Sequence, residues 1–318
     1  MSPRIDPLLP LVWRSPTELQ LGATPRVVVR DPGEFETGLI TALRHGASPA
    51  TLQTIGTGLG GTPEAVHALL ELLAPAFEAA PAAEQPAAAS APPPAAGTPA
   101  AARVHGRADA AASARSPRRV AVDAPREIGE RLTGHLASLG YTPVLAADAE
   151  PADTSLAVIA APWVISPARH LPWLRADVPH LAIVFDDEGT RIGPLVEPGS
   201  GPCLRCLELT RRDADAAWPV IAAQLAGRPA ASCTPRAVHD AIALAAALVD
   251  DRLVHGSNPL RGASIRLGRP GEFVPPAQHR QHPECGCRAP AGTETAPVRL
   301  DTRRPDAASS ARDAAVPA

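Results

Sequence analysis

Hydrophobic residues in the first part of the chain follow a strand-like pattern and then a helix-like pattern. Short runs of strand length, separated by Ser-Pro and Thr-Pro turns, predict strands at 11–14, 18–22 and 26–29. Apolar positions at helical spacing then predict three helices, two of which begin at a Ser-Pro or Thr-Pro cap. The pattern therefore predicts a small antiparallel sheet followed by a helix trio, a winged-helix-like α+β domain at residues 1–78.

The second part of the chain contains continuous apolar runs, as a sheet that is covered on both faces requires. A strand, a helix and a second strand form a βαβ unit over residues 119–145, and two more buried strands are predicted at 156–160 and 180–185. Thr234-Pro235 begins a long helix whose apolar stripe should pack on the sheet. We expect an α/β domain at residues 118–288 with a largely parallel sheet.

Two segments are too poor in large apolar side chains to form a core. Residues 79–117 and 289–318 consist mostly of Ala and Pro with a few charges, and Val104 is the one larger aliphatic residue of the first segment. Burial of so little apolar area does not offset the entropy of ordering the chain. A disordered linker at 79–117 and a disordered tail at 289–318 are therefore predicted.

Composition and charge exclude several classes of protein. The chain has 318 residues, a formal net charge of −3 and no lysine, and its basic residues are scattered, which is not typical of a nucleic-acid binder. No apolar run approaches the roughly 20 residues of a spanning helix, and the first residues lack the apolar core of a signal peptide. We expect a cytoplasmic protein without a membrane or nucleic-acid partner.

Four of the five cysteines have the spacing of a metal site. Cys203 and Cys206 form a CxxC pair, and Cys285 and Cys287 form a CxC pair. Four thiolates from two such turns fill a tetrahedral site, which predicts a closed, structural Zn²⁺ centre. A redox CxxC is the alternative. His282 can in principle replace one cysteine, but we leave it out of the predicted quartet.

The fifth cysteine, Cys233, precedes the cap of the long helix. The helix dipole could lower its thiol pKa and make it a nucleophile, although no base lies next to it in the sequence. A buried or incidental cysteine is the alternative, and both interpretations stay open.

Three segments resemble the ThiF-like partners of thiazole/oxazole-modified microcin (TOMM) cyclodehydratases, in the superfamily of ubiquitin-activating enzymes. They are Pro202–Leu209, Asp215–Leu225 and His282–Cys287. The resemblance covers residues 119–288 and implies a Rossmann-like, doubly wound sheet that carries a cysteine-bound zinc. Residues 1–78, with Val12-Trp13-Arg14, resemble a PqqD-like recognition element of ribosomally synthesised, modified peptide (RiPP) biosynthesis.

The residues that an adenylyltransferase uses to hold ATP are poorly matched. The first strand ends in Asp123-Ala124-Pro125 and is followed by one glycine, Gly129, where a phosphate-binding turn requires several. The chain lacks the lysine of the superfamily's nucleotide pocket, and Asn258 is its one asparagine. Asp148 is either a ribose ligand or a surface aspartate. ATP binding is therefore not expected.

The resemblance implies a division of labour between two proteins. In split azoline-forming systems the ThiF-like protein binds the leader of a precursor peptide, and a separate YcaO-type enzyme cyclises the peptide with ATP. The leader would join the small sheet as an added strand. The expected peptide-binding residues are Arg26, Val27, Val28 and Val29, with the helix from Pro63 to Phe77 as the groove wall. Alternatively, these residues are only the core of a winged helix.

The leading hypothesis is a non-catalytic leader-peptide-binding subunit of a RiPP cyclodehydratase. One rival is an active ThiF-like, ATP-dependent adenylyltransferase that activates the C-terminus of a peptide or carrier protein and passes it to Cys233. Another is a winged-helix DNA binder with a zinc-containing sensor domain. The resemblance also leaves a homodimer across the ThiF-like domain open.

Overall fold

The computed structural model describes residues 2–78, 118–268 and 274–288. The predicted linker and the predicted tail lie outside these described residues. The amino-terminal unit contains β1 Leu11–Ser15, β2 Glu18–Leu21, β3 Val27–Arg30, α1 Glu34–Arg44, α2 Pro49–Gly58 and α3 Pro63–Leu73. The three predicted strands and three predicted helices are confirmed to within a few residues.

Helix α3 is shorter than predicted. It ends at Leu73 and continues as a 3-10 turn over Ala74–Ala76, so the expected helix to Phe77 is wrong at its last turn. Pro75 explains the difference, because proline lacks the N–H that an α-helix needs and its ring clashes with the preceding turn. At the other end of α3, the Thr62 side chain accepts a hydrogen bond from the Ala65 amide, as the sequence predicts.

The small sheet has the order β1-β2-β3, is antiparallel and is covered on both faces. Leu19, Leu21 and Val29 pack with the three helices in one apolar core. Val12 points to the opposite face and belongs to the core of the second unit. The sheet therefore lies between its own helices and the second unit.

The second unit is a seven-stranded mixed sheet with the order β10-β9-β8-β7-β6-β4-β5. Its elements are β4 Arg119–Asp123, α4 Arg126–Ser138, β5 Thr142–Leu145, β6 Leu156–Pro162, α5 Pro167–Arg175, β7 His180–Asp186, β8 Gly189–Val196, α6 Leu204–Ala214, α7 Trp218–Leu225, α8 Pro235–His255, β9 Ala263–Leu267 and β10 Ala277–Gln278. Helices α4 and α8 pack on one face, and α5 and α6 pack on the other. Both faces of the sheet are thus covered by helices.

The expectation of a largely parallel sheet is wrong for its second half. Strands β5, β4, β6 and β7 are parallel, whereas β8, β9 and β10 are antiparallel to their neighbours. Only Asp187 and Glu188 connect β7 to β8, and so short a connection allows only a hairpin. In β8, Gly193 has φ +96°, and a Cβ atom there would lie 2.7 Å from the Ala263 carbonyl oxygen. Glycine is therefore required where the backbone of β9 runs close beside β8.

Across the described part of the chain, the helices are too short or too polar to span a bilayer.

Candidate functional site

The structure brings the four predicted zinc ligands together. The Sγ atom of Cys203 lies 3.8 Å from that of Cys206 and 3.6 Å from that of Cys285, and Cys206 and Cys287 are 3.6 Å apart. All four sulfurs lie within 4.8 Å of one another. A zinc ion bound at about 2.3 Å sets tetrahedral sulfurs about 3.8 Å apart, whereas a disulfide needs about 2.05 Å. The cluster fits a tetrathiolate metal site.

The two cysteine pairs are held by different elements. Cys203 is the N-cap of α6, and the Cys206 amide donates to the Cys203 carbonyl at 3.0 Å. Cys287 lies in a 3-10 turn near the end of the described chain. The Gln281 side-chain amide donates to the Gly201 carbonyl at 2.7 Å and ties the two pairs together. A helix amino terminus favours thiolates, so α6 suits the charge of this cluster.

The thiols cannot all ionise without a cation. The hydrogen bond from the Cys203 thiol lowers the pKa of Cys206 to about 4, and the same hydrogen bond together with burial raises the pKa of Cys203. Burial, and then the hydrogen bond to Cys206, raise the pKa of Cys287 to about 12. Metal binding requires thiolates, so a divalent ion would supply the charge that compensates them.

His282 lies beside the cysteine cluster, and both of its ring nitrogens form hydrogen bonds with protein groups. Its Nε2 donates to an Asp213 carboxylate oxygen at 2.7 Å, and its Nδ1 accepts the Glu284 amide at 3.1 Å. Both ring nitrogens are therefore occupied, which leaves no free lone pair for a metal. The hydrogen bond from His282, followed by one from Arg212, lowers the pKa of Asp213.

The crevice where a doubly wound sheet holds nucleotides contains an ion pair. The strand order changes direction between β4 and β6, and ligands bind at the carboxyl ends of strands at such a point. Here Arg169 donates to both carboxylate oxygens of Asp123 at 2.7 and 2.8 Å, and also to the Asp123 and Ala160 carbonyls. The sequence predicted a poor phosphate-binding turn after Asp123, but no sequence signal indicated the pairing of Asp123 with Arg169.

The surroundings of the three remaining candidates, Asn258, Asp148 and Cys233, do not indicate a role in binding or catalysis. Asn258 donates to the Leu195 carbonyl and to Glu197. Asp148 is exposed in a 3-10 turn after β5. Burial, and then the charge of Glu127, raise the pKa of Cys233, contrary to the lowering expected from the helix dipole. A thiol with a raised pKa is a poor nucleophile at neutral pH.

One edge of the small sheet is capped by side chains of the α/β unit. The Trp13 amide donates to the Gln224 side-chain oxygen at 2.9 Å, and the Gln224 amide group donates back to the Trp13 carbonyl at 2.6 Å. Arg228 donates to the Leu11 carbonyl at 3.1 Å. Gln224 thus forms hydrogen bonds with the outward backbone groups of Trp13 in β1, as a neighbouring strand would.

The other edge of the small sheet, strand β3, has no further strand beside it among the described residues. The Asp31 amide donates to the Thr17 carbonyl at 2.7 Å, which fixes the alternation of the β2–β3 ladder. Because antiparallel pairs alternate, the backbone groups of Val28 and Arg30 point away from β2. The unpaired edge therefore consists of Val28 and Arg30.

The predicted peptide-binding residues divide between this edge and the core. Val27 and Val29 are buried against the helices, Val28 is half-buried, and Arg26 is exposed just before the strand begins. A cleft of about 720 Å³ between the two units starts at Arg26 and reaches the beginning of α8.

No protein-family model and no curated protein sequence matches the chain. Among solved structures, the heterocyclase TruD aligns with 89% of this chain and 42% of its own chain, at 15% identity and a TM-score of 0.42. A chain of the E. coli microcin synthetase McbBCD complex aligns with 89% of this chain and 99% of its own, at 12% identity and a TM-score of 0.42. E. coli MccB with succinimide aligns with 90% of this chain and 99% of its own, at 11% identity and a TM-score of 0.40. The chain thus spans less than half the length of TruD.

Proposed function

We propose that this protein is a non-catalytic subunit of a RiPP cyclodehydratase that binds the leader of a precursor peptide and presents it to a YcaO-type enzyme. The observation that carries the proposal is the asymmetry of the small sheet. Its β1 edge is capped by Gln224, and its β3 edge is unpaired among the described residues. A peptide that pairs with this sheet therefore adds to β3.

The peptide would contact the protein chiefly through the backbone of β3. Val28 and Arg30 supply the outward amide and carbonyl groups, whereas the buried side chains of Val27 and Val29 hold the strand on its core. Leu72 on α3 is 47% exposed and offers apolar surface from the helix that was predicted as the groove wall. The proposal thus keeps Val28 as an edge residue and Val27 and Val29 as support, adds Arg30 to the edge, and leaves Arg26 just before the strand.

The ion pair at the switch point supports a role without ATP. Asp123 places a carboxylate and Arg169 a guanidinium at the carboxyl ends of β4 and β6, where nucleotide phosphates would approach the backbone. A nucleotide would have to break this bidentate pair. Activation of the peptide by ATP is therefore assigned to the partner enzyme.

A fluorescence polarisation titration tests the proposal with the full chain and a labelled leader peptide from a precursor encoded beside its gene. We expect micromolar binding. Val28→Pro removes one outward N–H but no β2–β3 ladder bond, so we expect at least about tenfold weaker binding, equivalent to about 1.4 kcal/mol. Val28→Ala keeps the N–H and should bind within about threefold of the wild type.

Three results would contradict the proposal. They are absence of binding at tens of micromolar, equal binding by the wild type and Val28→Pro, and ATP–pyrophosphate exchange with the peptide as acceptor. The last result would favour the adenylyltransferase.

A further inference from the structure

Arg191, near the start of β8, is a buried charge without a partner. Its side chain is 8% exposed and forms no hydrogen bond or ion pair with any described residue, and its Nε atom is fully buried. Burial, and then the charge of Arg211, lower the pKa of Arg191 to about 9 against the opposing charges of Asp186 and Glu208, so it remains protonated at neutral pH. A buried unpaired guanidinium is costly, and structures retain one chiefly where something neutralises it.

Other arginines lie near Arg191 and add to the positive charge at this point of the sheet. Arg266 lies directly opposite on β9, so two guanidinium groups share one face of the sheet. Arg266 is paired with Asp186 and Glu188, and Arg211 lies 3.5 Å from Glu208. Within the described part of the chain, no carboxylate lies at ion-pair distance from Arg191.

These groups line a cavity of about 450 Å³ over the antiparallel half of the sheet. Arg191, Arg211, Arg266 and Arg280 supply four guanidinium groups, and no carboxylate is among the lining residues. Leu207, Val274 and Pro275 form part of an apolar wall. The volume falls in the range of about 300–1,000 Å³ that is typical of small-molecule sites.

We infer that this cavity binds a small ligand that carries an oxyanion, phosphate or carboxylate, beside an apolar portion. A guanidinium group binds either oxyanion through paired hydrogen bonds, and burial strengthens such charge-assisted bonds. The anion would neutralise Arg191, and the apolar portion would lie against Leu207 and Val274. The cavity is separate from the crevice at Asp123, which lies on the parallel half of the sheet.

Thermal unfolding of the full chain at constant ionic strength tests the inference with four probes. Inorganic phosphate and acetate are minimal anions, and phenyl phosphate and benzoate add an apolar ring. We expect a saturable rise in Tm, at lower concentration for the probe with a ring. A larger response in the phosphate pair assigns a phosphate ligand, and a larger response in the carboxylate pair assigns a carboxylate ligand.

Arg191→Met separates a ligand site from a merely structural arginine. It removes the unpaired charge but keeps much of the side-chain volume, so we expect a Tm in chloride that equals or exceeds that of the wild type, and no response to the probes. Arg126→Met, which changes a 92% exposed side chain on α4, should respond like the wild type.

A second variant covers the case in which Arg191→Met does not fold. Arg280 is exposed at the cavity, and Arg280→Met should weaken binding at least threefold without changing the Tm in chloride. The inference is overturned by no saturable response to any probe, by an undiminished response in Arg191→Met, or by a response of Arg280→Met equal to that of the wild type.

Discussion

The five cysteines of this chain divide into a cluster of four and a single residue, in the structure as in the sequence. Four of them place their sulfurs within 4.8 Å of one another, and the fifth, Cys233, packs alone against the core of the α/β unit. Only the first group can share a dication, because a metal that prefers thiolates needs several of them at one point. The surroundings of each residue therefore distinguish a cluster of four cysteines from a single half-buried thiol.

Substitution of one clustered cysteine tests the metal site. Cys206→Ser should lose bound zinc and lower the free energy of unfolding by several kcal/mol, because metal binding contributes directly to folding. Cys233→Ser is the matched control and should keep both. Elemental analysis of the purified protein and denaturant unfolding measure the two effects. Full zinc occupancy in Cys206→Ser would exclude that residue as a ligand.

Two buried histidines predict a pH-dependent stability. His170 and His180 are stacked with ring centroids 6.3 Å apart, and burial is the main cause that lowers the pKa of each to about 4. In the unfolded chain a histidine has a pKa of about 6.5 and binds a proton below that pH, whereas the folded chain keeps it neutral down to about pH 4. Between these two pH values, proton binding favours the unfolded state. Stability is therefore full above pH 6.5 and is lost as the pH falls toward 4.

Removal of one of these histidines should reduce that loss. For His170 the shift costs the wild type about 2 kcal/mol at pH 5 relative to pH 8, so His170→Phe should show a correspondingly smaller difference between the two pH values. His135→Phe, at an exposed position of α4, should behave like the wild type. Urea unfolding at both pH values gives the comparison, and identical pH dependence in all three proteins would refute the assignment.

At the scale of elements, the sequence predicted those strands and helices that carry a local signal. Strands β1 to β3 alternate or lie between proline turns, and α3 and α8 begin at Thr-Pro caps. Strand β8 has no alternation, because nearly all of its residues are buried between two neighbouring strands. The pairing of β9 with β8 joins residues more than 70 positions apart, and periodicity cannot reveal such a contact.

The capping of β1 by α7 can be tested by hydrogen exchange. Gln224→Ala removes the acceptor of the Trp13 amide, so exchange at Trp13 should rise about tenfold or more, because a protecting hydrogen bond is lost. Val220→Ala changes an exposed residue of the same helix and should leave Trp13 protected. Unchanged exchange in Gln224→Ala would show that the cap does not persist in solution.

At the scale of the whole molecule, the amino-terminal unit is joined to the α/β unit by polar contacts. Arg14 donates to both carboxylate oxygens of Asp215 at 2.7 and 2.8 Å, and the Ala23 amide donates to Asp187 at 2.7 Å. The hydrogen bond from Ala23 opposes the effect of burial, which raises the pKa of Asp187 to about 6. The two units are therefore fixed relative to each other by specific bonds.

A double-mutant cycle measures the contact between the units. Arg14 and Asp215 keep only 19% and 24% of their side-chain surface exposed, and the pair is bidentate, so we expect a coupling free energy of about 1–2 kcal/mol. Arg14→Ala, Asp215→Ala and the double variant complete the cycle by denaturant unfolding. Additive effects would show that the ion pair contributes nothing to holding the units together.

The candidate sites differ in how far the sequence reveals them. The cysteine quartet follows from spacing alone, because two short cysteine turns have few other uses. The Asp123–Arg169 pair and the unpaired Arg191 gave no signal in the sequence, because the role of an arginine depends on which residues lie near it in the folded chain. Their partners, or the lack of one, are set by the order of strands in the large sheet.

The cap on β1 also affects the protein while it is being synthesised. Gln224 follows Trp13 by 211 residues, so at about 5–20 residues per second the ribosome needs roughly 10 to 40 s to deliver it. During that interval a folded amino-terminal unit would expose both outer strands of its sheet. Newly made chains would then be open to strand pairing with one another, and the arrival of α7 would end that exposure on one side.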